Sequence, residues 1–560
     1  MTFQDVDRVS NQMAHFLRPH VQTGQTVGLM MENKPEYVCW WLAMAKLGVK
    51  VALLNYNLTG RGLAHCLCTA VEDCVGVVFD GDCEANLHTI DDQLRAKNMK
   101  LFFWGGTPRR SFQVPVAAVD YDQLLSLPYT GEEFIALRKG LTMNDVFGYI
   151  YTSGTTGLPK AAKMLHSRMY GLSMICNILD LGPGDRLYTC LPLYHSAGGG
   201  LGTMSCFVSG ATLVLARKFS ASRFWTEISE QGCTAFQYIG ELGRYLVNYA
   251  REHPEVAKIP HKLKGAVGNG LRPEVWDEFQ DKFNIPAVAE FYGATEGNGA
   301  LLNYCRKSDV ASRGAIGKSG LFFDKVLNFK IVKFDVDTET PVRQPNGFCI
   351  EAAPNEAGEL ICPIDNNHPT KRFVGYTDPK ATEKKVLRDV FRKGDAWFRS
   401  GDLLSKDSSG LWFFVDRIGD TFRWKGENVS TMEVSQILSS FPGVEEANVY
   451  GVQVPGELDG RACMAALNGG EELQTREKLD ELQALCEKEL PSYARPIFLR
   501  FLPSMEITST FKHQKVQLRE EGIDLAKVQD PLFILHPATK RYERLDHAMA
   551  RELTERRAKL

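Results

Sequence analysis

The chain has 560 residues, 44% hydrophobic and 24% charged, which is long enough for several domains and too ordinary in composition for disorder or a collagen-like repeat. Lysine plus arginine total 65 and aspartate plus glutamate 68, and a formal net charge of −3 argues against nucleic acid as the main partner. The 14 cysteines are spread thinly, and the close pair Cys66 and Cys68 fits neither a redox CxxC nor a zinc spacing. Reduced, mostly buried thiols and no metal cluster are therefore expected.

Residues 1–18 are interrupted by charges and do not read as a signal peptide. Beyond them, short apolar runs alternate with helical periods, the pattern of stacked βαβ units. The pattern predicts strands over 26–31, 49–54, 75–79, 100–104, 147–151, 211–215, 233–237 and 287–291, with a helix over 36–47. Residues 187–216 hold no Asp, Glu, Lys or Arg over a membrane-spanning length. Pro192, His195 and five glycines interrupt that stretch, so two strands and a helix inside an α/β core are expected.

From about residue 314 to 415 short strands separated by Gly, Pro, Asn and Asp predict a β-rich subdomain. An α+β pattern follows, with helices over 432–440 and 476–489 and strands near 447–454, 462–467 and 497–502. The expected fold class is α/β. A large N-terminal α/β domain of stacked βαβ layers would cover 1–416, including the β-rich subdomain at 314–415, and a small mobile C-terminal α+β domain would cover 417–560. The boundary is placed at 417–419, and the last twenty residues read as a charged, solvated helix.

Residues 151–160, Tyr-Thr-Ser-Gly-Thr-Thr-Gly-Leu-Pro-Lys, carry the strongest chemical signal. Glycines let backbone N–H groups approach an anion, hydroxyls donate hydrogen bonds, and Lys160 supplies positive charge. The spacing is not that of a Walker A loop, which argues against an ATPase or GTPase of that class.

This decapeptide closely resembles the phosphate loop of the adenylate-forming superfamily, and other motifs follow in that family's order. Residues 291–297, Phe-Tyr-Gly-Ala-Thr-Glu-Gly, resemble its adenine and magnesium motif. Residues 400–403, Ser-Gly-Asp-Leu, resemble its ribose motif, and Asp416-Arg417 with Lys425-Gly426 resemble its hinge-side motif. More narrowly, residues 150–162, 422–431, 450–456 and 510–515 are similar to signatures of fatty acid transport proteins and very-long-chain acyl-CoA synthetases.

The resemblance implies an ATP-dependent ligase. A fatty carboxylate attacks the α-phosphate of ATP to give acyl-AMP and pyrophosphate, and the thiol of CoA then displaces AMP. ATP, Mg²⁺ and CoA are the implied cofactors and substrates. Anion meets anion in the first step, so the site must neutralise charge. By resemblance, Thr152, Ser153, Gly154, Thr155, Thr156, Gly157 and Lys160 hold the β- and γ-phosphates. Glu296 ligates Mg²⁺, Thr295 touches the α-phosphate, and Tyr292, with Gly293 beside it, stacks on adenine. Gly270, in the turn 268–272, lines the adenine pocket; Asp402 takes the ribose hydroxyls, and Arg417, with Lys425 in the same motif, supports ribose or phosphate. Taken singly, Glu296 reads equally as a loop acid, Asp402 as a turn residue and Arg417 as half of a surface ion pair.

His195 resembles the aromatic position facing the acyl carboxylate, although its own surroundings also suit a satisfied core histidine. The uncharged stretch behind it would wall an acyl tunnel, where each buried CH₂ is worth roughly 0.8 kcal/mol. Two departures stand out. Gly419 occupies the hinge position where many relatives carry Asp or Lys, and the C-terminal Thr/Ser-Gly-Lys motif is replaced by Thr-Ser-Thr-Phe-Lys-His-Gln-Lys at 508–515. Lys512 is the candidate adenylation lysine and Lys515 the second.

Two other classes of function are carried alongside: a fatty acid transport or binding protein in which acylation only traps the cargo, and an adenylate binder with weak catalysis. Relatives have an N-terminal membrane segment ahead of the region resembling residues 2–17, so either a shortened form or a peripheral protein is expected. The resemblance implies membrane association facing the cytosol, at the endoplasmic reticulum or plasma membrane. The ending Ala558-Lys559-Leu560 approximates the Ser-Lys-Leu peroxisomal address.

Overall fold

A computed structural model of the chain describes residues 1–152, 158–336, 338–368, 371–425, 427–454, 460–505 and 515–554. They form two compact units. One comprises Met1–Leu271, Val275–Arg313 and Ile364–Val386, and the other Arg272–Glu274, Gly314–Pro363 and Leu387–Leu560. The strands after residue 314 thus group with the C-terminal residues, and one excursion, Ile364–Val386, returns to the first unit.

The first unit is built on two sheets. Strands β1 (Thr26–Met30), β2 (Lys50–Leu53), β3 (Cys74–Asp80), β4 (Lys100–Trp104), β5 (Val116–Val119), β6 (Val146–Thr152) and β7 (Lys160–Leu165) form one, in the order β5-β4-β3-β1-β2-β6-β7. Strands β8 (Arg186–Thr189), β9 (Thr212–Leu215), β10 (Ala235–Ile239), β11 (Gly265–Asn269), β12 (Ala287–Gly293) and β13 (Ala300–Arg306) form the second, in the order β13-β12-β11-β10-β8-β9. Each sheet is parallel except for one antiparallel hairpin at its edge, β6–β7 in the first and β12–β13 in the second.

Parallel strands buried on both faces read as unbroken apolar runs, and the first sheet sorts them by alternation. Val27, Leu29, Val51, Leu53, Val78 and Phe102 enter one core cluster with Trp40 and Trp41. Their neighbours Met30, Ala52, Val77, Phe79, Leu101 and Phe103 enter another. A third cluster around Phe224, Phe236 and Trp276 supports the second sheet. Asn33 stitches the two sheets' ends together: its amide donates to the carbonyls of Leu191 and Ala216, and its oxygen accepts from Leu193 N–H.

The uncharged stretch resolves as expected into buried α/β structure: β8, a π-helical turn over Ser196–Met204, a short helix over Ser205–Ser209, and β9. Among the described residues no helix is long and apolar enough to cross a membrane. The cysteines whose side chains are described are free thiols, all buried except the half-buried Cys68.

In the second unit, strands Gly317–Lys318, Leu411–Arg417, Ala396–Lys406, Gly358–Pro363 and Lys330–Val332 pair in that order. A five-stranded sheet follows: Val444–Val452, Ala462–Gly469, Phe498–Phe501, Leu532–Leu535 and Tyr542–Arg544. The tail corrects the expectation of a solvated helix. Tyr542–Arg544 is a strand, and the helix His547–Thr554 carries Leu553, which joins Leu545 in the core, with Met549 one turn earlier in the helix packed against the same cluster.

Gly240, at the turn from β10 into the helix Gly240–Glu252, has no room for a side chain: a Cβ there would lie 1.6 Å from the Gly270 carbonyl oxygen. Gly240→Ala is expected to cost about 2 kcal/mol or more, as overpacking against backbone does. Denaturant unfolding of the purified variant checks this, and an unchanged midpoint would contradict it.

Candidate active site

The two edge hairpins carry the two strongest motifs. In the first, Thr152 ends β6 opposite Lys160, which opens β7. Residues 153–157, and with them the expected roles of Ser153, Gly154, Thr155, Thr156 and Gly157, lie outside the described residues. In the second, Gly293 pairs with Ala300, and the connection between them contains Thr295 and Glu296.

The returning segment Ile364–Val386 joins these hairpins. Its backbone runs along β7, where Thr377 N–H donates to the Ala161 carbonyl and Lys163 N–H to the Gly375 carbonyl, each at 3.0 Å. That register delivers Tyr376 to the site. Its hydroxyl is near enough to Glu296 and Thr152 to interact with both, and Lys160 Nζ lies 5.8 Å from its ring centroid. Burial and the neighbouring Glu296 carboxylate push the Tyr376 phenol well above its ordinary range, so it stays neutral.

Glu296 has a side chain only 9% exposed, with Lys385 Nζ 3.2 Å from Oε1. Burial pushes its carboxyl up, but Lys385, the residue's own backbone N–H and Tyr376 outweigh burial and hold it below the ordinary value. The group is an ionised, hard-oxygen donor, which fits a magnesium ion. No cluster of three or more His, Cys, Asp or Glu side chains able to hold a metal occurs among the described residues. Thr295 is half-buried beside it, and Arg168, from the helix His166–Ser173, donates to the Ala294 carbonyl at 2.6 Å, pinning this connection.

A second cluster surrounds Gly270. Glu290, fully buried in β12 two residues before Tyr292, accepts from the backbone N–H of Gly270 and, at 3.2 Å, from that of Leu271, both through Oε1; Tyr238 O–H donates to Oε2. Gly270 adopts φ 78°, a conformation glycine takes without strain. Glu290 thus fixes the turn expected to line the adenine pocket. Burial pushes its carboxyl up to about 8, against the pull of the three hydrogen bonds.

His195 caps the π-helical turn Ser196–Met204, half-buried, with its ring centroid 4.5 Å from that of Tyr194. In the turn behind it, Gln237 of β10 donates to the Ala197 carbonyl, and a Cβ on Gly199 would meet the Trp41 ring at 3.0 Å.

In the second unit Asp402 and Arg417 stand directly opposite each other on neighbouring antiparallel strands. Asp402 N–H donates to Ser400 Oγ. Lys425 is exposed at φ 50°, with Nζ 5.7 Å from the Trp424 ring. Lys512 lies outside the described residues. Lys515 donates to Thr431 Oγ1 at 2.9 Å and pairs with Asp420 Oδ2 at 3.1 Å, and burial pulls its ammonium below the ordinary value. Arg519 joins them, pairing with Asp420 and donating to the Gly419 carbonyl.

Sequence reasoning did not find Arg168, Tyr238, Glu290, Tyr376 or Lys385. The spacing around Tyr376, Gly-Tyr-Thr-Asp-Pro, marks a turn and nothing more, and the others carry no local signal.

Residues 1–363 match the family model described as AMP-binding enzyme, and residues 433–512 that of the AMP-binding enzyme C-terminal domain. Long-chain fatty acid transport protein 1 of Mus musculus is 42% identical over 97% of this chain and 82% of its own length. The very long-chain fatty acid transport protein of Cochliobolus heterostrophus is 38% identical over 96% and 80%. Among solved structures, the anthranilate CoA ligase AuaEII in complex with anthranoyl-AMP superposes with a TM-score of 0.76 at 20% identity, covering 94% of this chain and 93% of that one. ATP-bound MatB from Rhodopseudomonas palustris gives 0.71 at 20% identity, covering 94% of each. These two likenesses are of fold.

The Glu290 carboxyl yields a pH dependence. Between about pH 4.5 and 8 the folded protein keeps a proton that the unfolded chain has released, so this group's contribution is complete below 4.5 and is lost as pH rises toward 8. Glu290→Gln is expected to flatten the fall in thermal stability between pH 5.5 and 8. Parallel pH profiles for both proteins would show the assignment to be mistaken.

Proposed function

We propose, because the chain belongs to the AMP-binding enzyme family and to that of the long-chain fatty acid transport proteins, that it is an AMP-forming fatty acid–CoA ligase for long or very long chains. The single observation that carries this reading is the convergence of Thr152, Lys160 and Glu296 around Tyr376, which brings two motif hairpins to one side chain. A carboxylate oxygen of the fatty acid attacks the α-phosphorus of ATP and pyrophosphate leaves. The thiol sulfur of CoA then attacks the acyl carbon and AMP leaves.

In this reading Thr152, residues 153–157 and Lys160 bind the β- and γ-phosphates, and Thr295 orients the α-phosphate. Tyr292 stacks on adenine, with Gly270 and Gly293 along the pocket. Asp402 accepts from the ribose hydroxyls, and Arg417 and Lys425 act from the hinge-side motif. Lys512 approaches the α-phosphate during adenylation, and the pairing of Lys515 with Asp420 favours a bracing role for Lys515. His195 faces the acyl carboxylate at the mouth of a tunnel walled by the uncharged stretch. Mg²⁺, with Glu296 as its protein ligand, would screen the triphosphate charge that otherwise repels the incoming carboxylate. Residues 417–419 form the junction between an adenylation domain and a mobile C-terminal domain, with rotation at Gly419.

The names of the relatives favour a second reading, carriage of fatty acids with acylation trapping the cargo at a cytosol-facing membrane surface. The peroxisomal ending falls in residues 555–560, outside the described residues.

The test is ATP-dependent acyl-CoA formation across a chain-length series, with acyl-AMP tracked separately. Wild type is expected to make thioester from long chains. Glu296→Gln and Lys512→Ala are each expected to slow acyl-AMP formation on the order of 100-fold or more, while Lys515→Ala loses less. Folded wild-type protein that forms no adenylate from any chain length would reject the ligase and leave carriage.

A further inference from the structure

We propose that Lys385 is the resident counter-ion of Glu296, and that a divalent cation arriving with a nucleotide must displace it. The inference rests on the reading of Glu296 as the metal ligand. A carboxylate that is 91% withdrawn from solvent is costly to keep ionised without a partner. Its own motif supplies none: the flanking residues Ala294, Thr295, Gly297 and Asn298 are uncharged. The cation comes instead from nearly ninety residues further along the chain, on the segment that also delivers Tyr376.

That segment is anchored on both sides of Tyr376. The backbone bonds of Gly375 and Thr377 hold it on β7, and Thr382 Oγ1 accepts from Tyr376 N–H at 3.0 Å. Asp378 caps the helix Pro379–Glu383, and Lys385 N–H donates to the Thr382 carbonyl just past its end. The stem of Lys385 therefore leaves an anchored turn, while its side chain remains 26% exposed and can withdraw toward water.

The two partners of Glu296 differ in what a metal would do to them. Tyr376 is uncharged and can stay. Lys385 carries a full charge 3.2 Å from Oε1, and a magnesium ion binding that carboxylate at about 2.0–2.1 Å would meet a like charge. Metal binding and the ion pair are thus linked with opposite sign. Removing Lys385, a cation beside a site for an anionic nucleotide, should strengthen the binding of a metal–nucleotide complex, whereas losing an ordinary phosphate-binding lysine weakens it.

Calorimetric titration of the full-length protein with preformed Mn²⁺·AMPPNP, and with AMPPNP in EDTA, reads this without turnover. Lys385→Gln is expected to bind Mn²⁺·AMPPNP about fivefold more tightly than wild type. Lys385→Arg should stay near wild type, and the gain should vanish in Glu296→Gln/Lys385→Gln. If Glu296→Gln weakens Mn²⁺·AMPPNP but Lys385→Gln leaves it unchanged or weaker, the counter-ion is overturned and the metal ligand stands. If Glu296→Gln does not alter Mn²⁺·AMPPNP binding, both readings fail. A gain in affinity does not arise from a damaged fold, so the expected result separates displacement from structural loss.

Discussion

The two hairpins that carry the motif residues stand at the edges of two different sheets, and one returning segment reaches both. Each hairpin is antiparallel and lies where the regular parallel ladder has ended. Tyr376, whose hydroxyl lies near both Thr152 of one hairpin and Glu296 of the other, supplies the link. It arrives from a third place, a segment that leaves the first unit at Arg313 and returns at Ile364 only to pair with β7. Much of the candidate chemistry in this unit depends on that return, because Glu296 remains ionised through Lys385 on the same segment.

What could be read from the sequence follows from how each strand is buried. The central parallel strands announced themselves as apolar runs because both faces are covered, as Val77, Val78 and Phe79 show. The edge strands β7 and β13, Lys-Ala-Ala-Lys-Met-Leu and Ala-Leu-Leu-Asn-Tyr-Cys-Arg, mix polar and apolar residues because one side faces a loop or solvent, and no run marks them. The motif residues were legible because glycines, hydroxyls and a lysine at close spacing have few other uses. Their partners were not: Arg168 meets Ala294 across 126 residues and Tyr238 meets Glu290 across 52, and only the folded chain brings them together. The tail misled for a related reason, since its charges are plain in sequence while Leu545, Met549 and Leu553 are scattered among them.

In the second unit Asp402 and Arg417 are register partners on neighbouring antiparallel strands. Asp420 is gripped by both Lys515 and Arg519, and Arg519 also takes the Gly419 carbonyl. Torsional freedom around residue 419 is thereby narrowed on its C-terminal side, while the glycine itself carries no side chain to resist rotation.

Glu290 has a consequence for the electrical character of its neighbourhood. Burial pushes its carboxyl up to about 8, so at neutral pH the protonated, uncharged form is favoured. The turn at Gly270 and Leu271 is therefore tied down by a group that offers the grip of a carboxylate without its charge. A permanently ionised anchor two residues from Tyr292 would repel any polyphosphate approaching that strand end. An uncharged one gives the turn rigidity without that repulsion.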